Sequence, residues 1–377
     1  MKKTVPLLLM MLLCLLVVPV EAVELPLAAP EALLMEKSTG QVLYAKNEHE
    51  QREPASVTKI MTLLLTMEAI DEGRLHYDDM VTVSAYAASM GGSQVYLKEN
   101  EQISVEELLK AVCVSSGNDA AVALAEKVAG VTELFVEQMN NRAGELGMND
   151  THFANCTGLP AEGHVTSAYD IALMSRELIL KHPDIRRFTT IWMDTIRGGS
   201  FGLSNTNKLI RFYDGATGLK TGSTSSAGFC ISATAERDGM ELIAVIMKGE
   251  TSASRNEDAK ALLNYGFSTY ALTDITPGEP LPELPVVLGE ADTVPLTLAG
   301  DSAVLTEKSH AAGLRQELKL PESVEAPVEQ GAQIGTLTVY DGDTALAEVP
   351  IAAAQAVGKL TWSQMTERLL RMALLAK

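Results

Sequence analysis

The sequence offers little with which to cross-link itself or hold a metal. Four cysteines occur in 377 residues, and Cys14 falls in an N-terminal leader, which leaves Cys113, Cys156 and Cys230. An odd number of thiols does not make a disulfide framework. No Cys-x-x-Cys occurs, and His49, His76, His152, His164, His182 and His310 are scattered, which argues against a zinc site. Asp150-Thr151-His152, the nearest thing to a ligand pair, reads as a polar turn. Nothing in the sequence calls for a cofactor. Positive charge is also scarce, with 30 Lys+Arg against 49 Asp+Glu and a formal charge of −19. Phosphate binding needs a basic face, so nucleic acid is excluded as a partner. There is no internal repeat, and 28 Gly with 15 Pro excludes collagen-like and low-complexity scaffolds. What is present, 46% hydrophobic and 21% charged residues, can bury a sizeable core and exceeds one domain of about 100 to 200 residues.

The two ends differ from the body. Residues 1–22 read as a secretory signal: Lys2 and Lys3, an apolar stretch from Leu7 to Val18, then Val20-Glu21-Ala22 at the cleavage positions. That stretch is short for a spanning helix, and no other segment reaches about 20 apolar residues. Removing Lys2, Lys3 and Glu21 leaves 28 positive and 48 negative residues, so the exported chain carries −20. From Leu360 to Lys377, Trp362, Met365, Leu369, Met372 and Ala373 recur at helical spacing opposite Gln364, Glu367, Arg368 and Arg371. This locally basic segment, residues 359–377, fits a helix lying on a membrane surface with Trp362 at headgroup level; packing on its own domain is the alternative.

Between the ends, Leu33–Glu36 and Gln41–Tyr44 flank Ser38-Thr39-Gly40 as a hairpin. Ile60, Met61, Leu63, Leu64, Met67 and Ile70 predict a helix that Gly73 stops. Further helices are predicted at Val105–Val112, Asp119–Ala129, Val131–Leu146, Ala168–Leu180 and Glu257–Tyr265, and strands at Phe229–Ala235 and Glu241–Met247. A helical cluster is thus inserted within a sheet whose strands come from both sequence ends, a mixed α/β domain over 23–275. Beyond Thr276-Pro277-Gly278-Glu279-Pro280, short Val/Leu/Thr runs predict a small all-β domain over 276–358.

Three short strings carry chemistry. In Ser56-Val57-Thr58-Lys59 an amine sits one helical turn from a hydroxyl on the same face. Desolvation or a nearby cation must lower the Lys59 pKa before it can act as a base. A serine N-cap followed by an exposed lysine gives the same string. Ser116-Gly117-Asn118 is a turn that projects a hydroxyl and a carboxamide, or an ordinary loop entering a helix. Lys220-Thr221-Gly222-Ser223 places a cation and hydroxyls on a strand edge, with Gly222 allowing a substrate backbone to approach, or is a plain hairpin edge.

In this order, with separations of 60 and 104 residues, the three are the signature shared by penicillin-binding proteins and class A β-lactamases. Residues 40–44, 54–62, 116–120, 155–160, 166–178 and 219–222 resemble the low-molecular-weight penicillin-binding proteins, the serine-type D-alanyl-D-alanine carboxypeptidases of peptidase family S11. The resemblance implies a β-lactamase/transpeptidase-like α/β (α+β) catalytic domain with an inserted helical cluster, a small all-β domain and a C-terminal amphipathic helix. It implies an exported enzyme, secreted or at the extracytoplasmic face of the bacterial membrane, acting on peptidoglycan stem peptides ending in D-Ala-D-Ala and binding β-lactam antibiotics. Ser56 would be the nucleophile and Lys59 its base, with Ser116 carrying the proton to the leaving D-alanine and Asn118 orienting the substrate amide. Backbone N–H groups of Ser56 and Ser223 would form the oxyanion hole. Lys220 would support Ser116 and keep Lys59 neutral, while Thr221, Ser223 and Arg255 receive the terminal carboxylate; a surface ion pair with Glu257 or Asp258 is the other reading of Arg255. Glu162 lies where a β-lactamase carries its deacylating glutamate but lacks the matching context. A β-lactamase-like hydrolase and a non-catalytic wall-binding module on the same fold are the alternatives.

Overall fold

The computed structural model describes residues 25–300 and 303–375, so the signal expected over 1–22 lies outside the described residues. Strands β1 (Glu31–Glu36) and β2 (Val42–Lys46) form the expected antiparallel hairpin. The chain then leaves the sheet through a 3-10 turn (Ala55–Thr58) and helix α1 (Lys59–Asp71). Two small antiparallel pairs, β3 (Met80–Thr82) with β4 (Gln102–Ser104) and β5 (Met193–Ile196) with β6 (Phe201–Ser204), lie among the inserted helices. These are α2 (Ala85–Ala88), α3 (Val105–Ser115), α4 (Asn118–Ala129), α5 (Thr132–Glu145), α6 (Ala168–Lys181), α7 (Arg186–Thr189) and α8 (Leu209–Phe212). The chain returns as β7 (Ala216–Thr224), β8 (Gly228–Arg237) and β9 (Met240–Gly249), then α9 (Ser252–Thr269). The five-stranded sheet runs β2-β1-β9-β8-β7, with strands from both ends of the insertion and β7 at an edge.

This sheet is covered on both faces, so its central strand is apolar from Leu242 to Met247. Along β9, Ile243, Val245 and Met247 join the core built by the inserted helices, while Leu242, Ala244 and Ile246 join the one beneath α9. That alternation is the two-residue period of a strand sorting side chains between two cores. Helix α1 is buried from Lys59 to Met67, with Ile60, Met61, Leu63, Leu64 and Met67 fully so, and reaches solvent near its end at Asp71. Its first two turns have no wet face, so the Lys59 amine at its start lies in the interior. Helix α9 begins five residues before the predicted Glu257. Thr251 and Ser254 cap it reciprocally, with serine where a glutamate or glutamine is usual, and Arg255 therefore stands in its first turn.

The β-rich remainder comprises β10 (Tyr270–Asp274), β11 (Leu284–Val287), β12 (Thr293–Val294), β13 (Leu296–Leu298), β14 (Ala303–Glu307), β15 (Arg315–Lys319), β16 (Val324–Glu325), β17 (Gln333–Asp341) and β18 (Thr344–Ala353). Its largest sheet runs β13-β18-β17-β15, and β10, which directly follows α9, pairs with β14. The final helix, α10 (Trp362–Leu375), meets this region through polar groups: Arg368 pairs with Asp292 and donates to the Gly289 carbonyl, and Gln364 donates to Glu290. Trp362, Leu369 and Leu374 are 86%, 63% and 78% exposed, so these apolar side chains do not pack on the domain. The side chains of Met372, Ala373 and Lys377 lie outside the described residues.

Candidate active site

Ser56, Ser116 and Lys220, on three separate segments, meet beside the edge strand β7. Ser56 belongs to the 3-10 turn ahead of α1, which has no side-chain cap, so it is not the N-cap that the string also allowed. Its Oγ lies 3.0 Å from Lys59 Nζ. The amine also donates to Asn118 Oδ1 at 2.6 Å and to the Thr157 carbonyl at 2.7 Å. Ser116 ends α3 in the left-handed conformation (φ +59°), a strained backbone that turns its hydroxyl towards the centre. There Lys220 Nζ donates to Ser116 Oγ at 2.8 Å and to the Thr221 carbonyl at 2.7 Å. Ser56, Ser116, Thr221, Gly222, Ser223 and Arg255 line one open cleft of ≈ 270 Å³. Ser93, Thr206, Phe229 and Ser252 also line it, and no sequence motif had singled them out.

The cations are hardly solvated. Lys59 is fully buried; desolvation first and the charge of Lys220 second hold its amine well below the usual lysine range. Burial brings Lys220 down to about 7, with Arg255 adding to the shift. Arg255 is 4% exposed and, among the described residues, donates to Asn256 Oδ1 and the Cys230 carbonyl. Among the described residues no carboxylate pairs with it. Asp258 instead accepts the backbone N–H groups of Ala28 and Ala29, and Glu257 pairs with Lys260, so the surface ion pair is not formed. A guanidinium with no carboxylate partner, lining the same cleft as Thr221 and Ser223, can receive an anion.

Two residues have contacts beyond the sequence-based expectation. The Asn118 carboxamide holds Lys59 through Oδ1, while Nδ2 donates one of its two hydrogens to the Gly91 carbonyl at 2.7 Å, so it orients the amine. Gly222 is required by the Ser56 turn: a Cβ there would lie 2.7 Å from Ser56 N and 2.9 Å from Val57 N. Gly158 closes on the same turn from another side, where a Cβ would lie 1.8 Å from the Ala55 carbonyl oxygen. Between them Ala55 adopts φ +49°, an unfavourable region for alanine, with its carbonyl accepting from Thr58 Oγ1 at 2.8 Å.

The Thr157 carbonyl was missed because a backbone group has no residue signature. Asn155 was the available clue. Its Oδ1 accepts from Thr157 N, Thr157 Oγ1 and Gly158 N, an Asx-type turn that fixes the carbonyl's direction. Cys113, Cys156 and Cys230 are free and buried behind Lys220, Lys59 and Arg255 respectively, and burial pushes their thiols up to about 12, 12 and 11.

Known proteins agree with this architecture. The model of the D-alanyl-D-alanine carboxypeptidase family matches residues 19–251, and that of the penicillin-binding protein 5 C-terminal domain matches residues 273–359. The chain is 41% identical to D-alanyl-D-alanine carboxypeptidase DacF of Bacillus subtilis, over 89% of this chain and 87% of the relative. The structure resembles penicillin-binding protein 5 from Haemophilus influenzae, with TM-score 0.78 and 29% identity over 89% of this chain and 99% of that one. It also resembles the ampicillin-bound form of penicillin-binding protein D2 from Listeria monocytogenes, with TM-score 0.60 and 32% identity over 65% of this chain and all of that one. With two Ser/Lys pairs gathered at one cleft, and with family models matching both its α/β and its β-rich parts, the chain belongs to the D-alanyl-D-alanine carboxypeptidase family.

Proposed function

We propose that Ser56 is the nucleophile with which this D-alanyl-D-alanine carboxypeptidase removes the terminal D-alanine from peptidoglycan stem peptides. The observation that carries the assignment is the three-cornered environment of Lys59. A neutral amine has two N–H donors and one lone pair. Asn118 Oδ1 and the Thr157 carbonyl take the donors, which leaves the lone pair directed at the Ser56 hydroxyl. Lys59 then accepts the Ser56 proton as Oγ bonds to the penultimate D-alanine carbonyl carbon. The oxyanion is received by the Ser56 and Ser223 N–H groups, each donor worth roughly 10² to 10³ in rate. As the C–N bond breaks, Ser116 passes its proton to the departing D-alanine and takes up in return the proton that Lys59 removed from Ser56, with Lys220 supporting the Ser116 hydroxyl, so that Lys59 is neutral again. Water, deprotonated by Lys59, hydrolyses the resulting ester and returns Ser56. The substrate's terminal carboxylate lies against Thr221, Ser223 and Arg255, and the same cleft takes β-lactams, which acylate Ser56 in place of substrate.

The test is incubation with a peptide ending in D-Ala-D-Ala while free D-alanine is measured. Release should occur and vanish in Ser56→Ala, which should also lose the mass added by penicillin. No release, or release that survives the substitution, would sink the assignment. Glu162 is exposed and its side chain does not line the cleft, which supports a long-lived penicilloyl ester. Rapid turnover of penicillin would favour the β-lactamase-like alternative, and absence of labelling at Ser56 the wall-binding module.

The working arrangement follows from this reading. Residues 1–22 direct export, 23–275 form the catalytic domain and 276–358 the β-rich domain. Residues 359–377 rest on the outer membrane surface, for which the outward Trp362, Leu369 and Leu374 are the support. No described helix is long and apolar enough to cross a membrane.

A further inference from the structure

His164 lies outside the three motifs and the cleft, yet its imidazole joins the two segments that bring Ser56 and Lys59 together. It is 2% exposed. Nδ1 lies 2.9 Å from the Ala154 backbone N–H, which can only donate, so Nδ1 is an acceptor and the ring proton sits on Nε2. Nε2 lies 2.8 Å from Thr58 Oγ1, and Thr58 in turn donates to the Ala55 carbonyl. The donors form one directed chain from Ala154 through His164 and Thr58 to Ala55. An imidazolium would set two donors against each other at Ala154, so the chain exists only with a neutral ring. Burial pulls His164 down to about 4, with His152 contributing, which keeps the ring neutral at physiological pH.

Each end of this chain leads to a reacting atom. Ala55 precedes Ser56 and holds the left-handed φ of +49°. Ala154 opens the loop that carries the Thr157 carbonyl to Lys59. We propose that His164 is a positioning residue for acylation: through Thr58 it fixes the turn bearing Ser56, and through Ala154 the loop that aims the Lys59 lone pair. The inference rests on Ser56 and Lys59 acting as nucleophile and base. Without the chain, Ala55 is held by packing and the backbone bonds of one short 3-10 turn, and the hydroxyl wanders from the amine.

The two ring nitrogens can be tested separately. His164→Asn keeps an acceptor near the Nδ1 position and loses the donor to Thr58; His164→Gln keeps a donor near the Nε2 position and loses the acceptor. Thr58→Val removes the relay with little change of shape. The readout is the rate constant for acylation by a fluorescent penicillin, separated from its noncovalent affinity, with melting temperature measured alongside. His164→Asn and Thr58→Val should each slow acylation by about 10- to 100-fold with affinity little changed, the loss expected when reacting atoms shift by a fraction of an ångström to about one. His164→Gln should recover most of the rate, and the double variant His164→Asn/Thr58→Val should be no slower than the worse single. Failure of the wild-type protein to acylate would refute the nucleophile assignment itself. A normal wild type with His164→Asn or Thr58→Val at full speed would overturn the positioning role, as would effects that multiply in the double variant. If His164→Asn does not fold, Thr58→Val alone decides in the same way.

Discussion

Replacing Gly158 by alanine should disable the nucleophile without touching it. The new Cβ would stand 1.8 Å from the Ala55 carbonyl oxygen, 2.3 Å from its carbon and 2.9 Å from Ser56 N. Restoring an ordinary 3.4 Å contact needs a separation larger by about 1.6 Å, and neither partner is a flexible side chain that can swing aside. Gly158 also has φ +85°, where alanine costs about 1 kcal/mol more than glycine, and overpacking adds about 1 to 3 kcal/mol. The protein should therefore remain folded, less stable by about 2 to 4 kcal/mol. Its Ser56 turn should be displaced by an ångström or more, a misplacement that costs on the order of 10²-fold in acylation. The matching control is Gly147→Ala, with φ +73° and nothing within 4 Å of the added carbon, which should incur the conformational cost alone and acylate normally. Stopped-flow acylation by fluorescent penicillin, D-alanine release and thermal unfolding measure all three quantities. A Gly158→Ala protein acylating within about threefold of wild type would refute the argument, because a one-ångström shift cannot be that harmless.

The orientation of Lys59 gives a pH test. In Asn118→Asp a carboxylate replaces the amide oxygen 2.6 Å from the amine and favours its charged form. The Lys59 pKa rises, the lone pair is occupied at neutral pH, and the acidic limb of the acylation profile should move upward by about 1 to 3 pH units. An unmoved limb would mean that Lys59 is not the base. At the other end of the chain, Leu369→Glu with Leu374→Glu should cut co-sedimentation with anionic phosphatidylglycerol vesicles by at least about threefold while leaving hydrolysis of a soluble peptide intact. Equal binding by the double variant would remove the membrane role of α10.

Much of this was legible in the sequence, and the reasons are specific. Ile60 to Ile70 and the strands Phe229–Ala235 and Glu241–Met247 are long periodic runs whose burial demands leave little choice of element. Ser56, Lys59, Ser116 and Lys220 stood out by type and order, and the fold brings all four together. The hairpin Met193–Ile196/Phe201–Ser204 did not show, because four-residue strands carry too few side chains to establish a period. Ser93, Thr206 and Ser252 are ordinary loop and cap residues until tertiary contacts place them on the cleft. The second demand on Gly222 did not show, since the backbone it must also admit, that of Ser56, is more than 160 positions away. His164 counted only as one of six scattered histidines. Its importance lies in a hydrogen-bond direction, which no residue pattern expresses.

The three thiols behind the three cations have a practical consequence. Burial raises all three thiol pKa values and also shields the sulfurs, so alkylating reagents meet essentially no thiolate in the closed protein. Labelling must wait for each corner to open. Cys156 therefore times exposure around Lys59, Cys113 around Lys220 and Cys230 around Arg255, three clocks already built into the natural chain. Comparing their rates with and without a bound β-lactam would map which part of the cleft breathes and which part the acyl group locks, using no substitution at all.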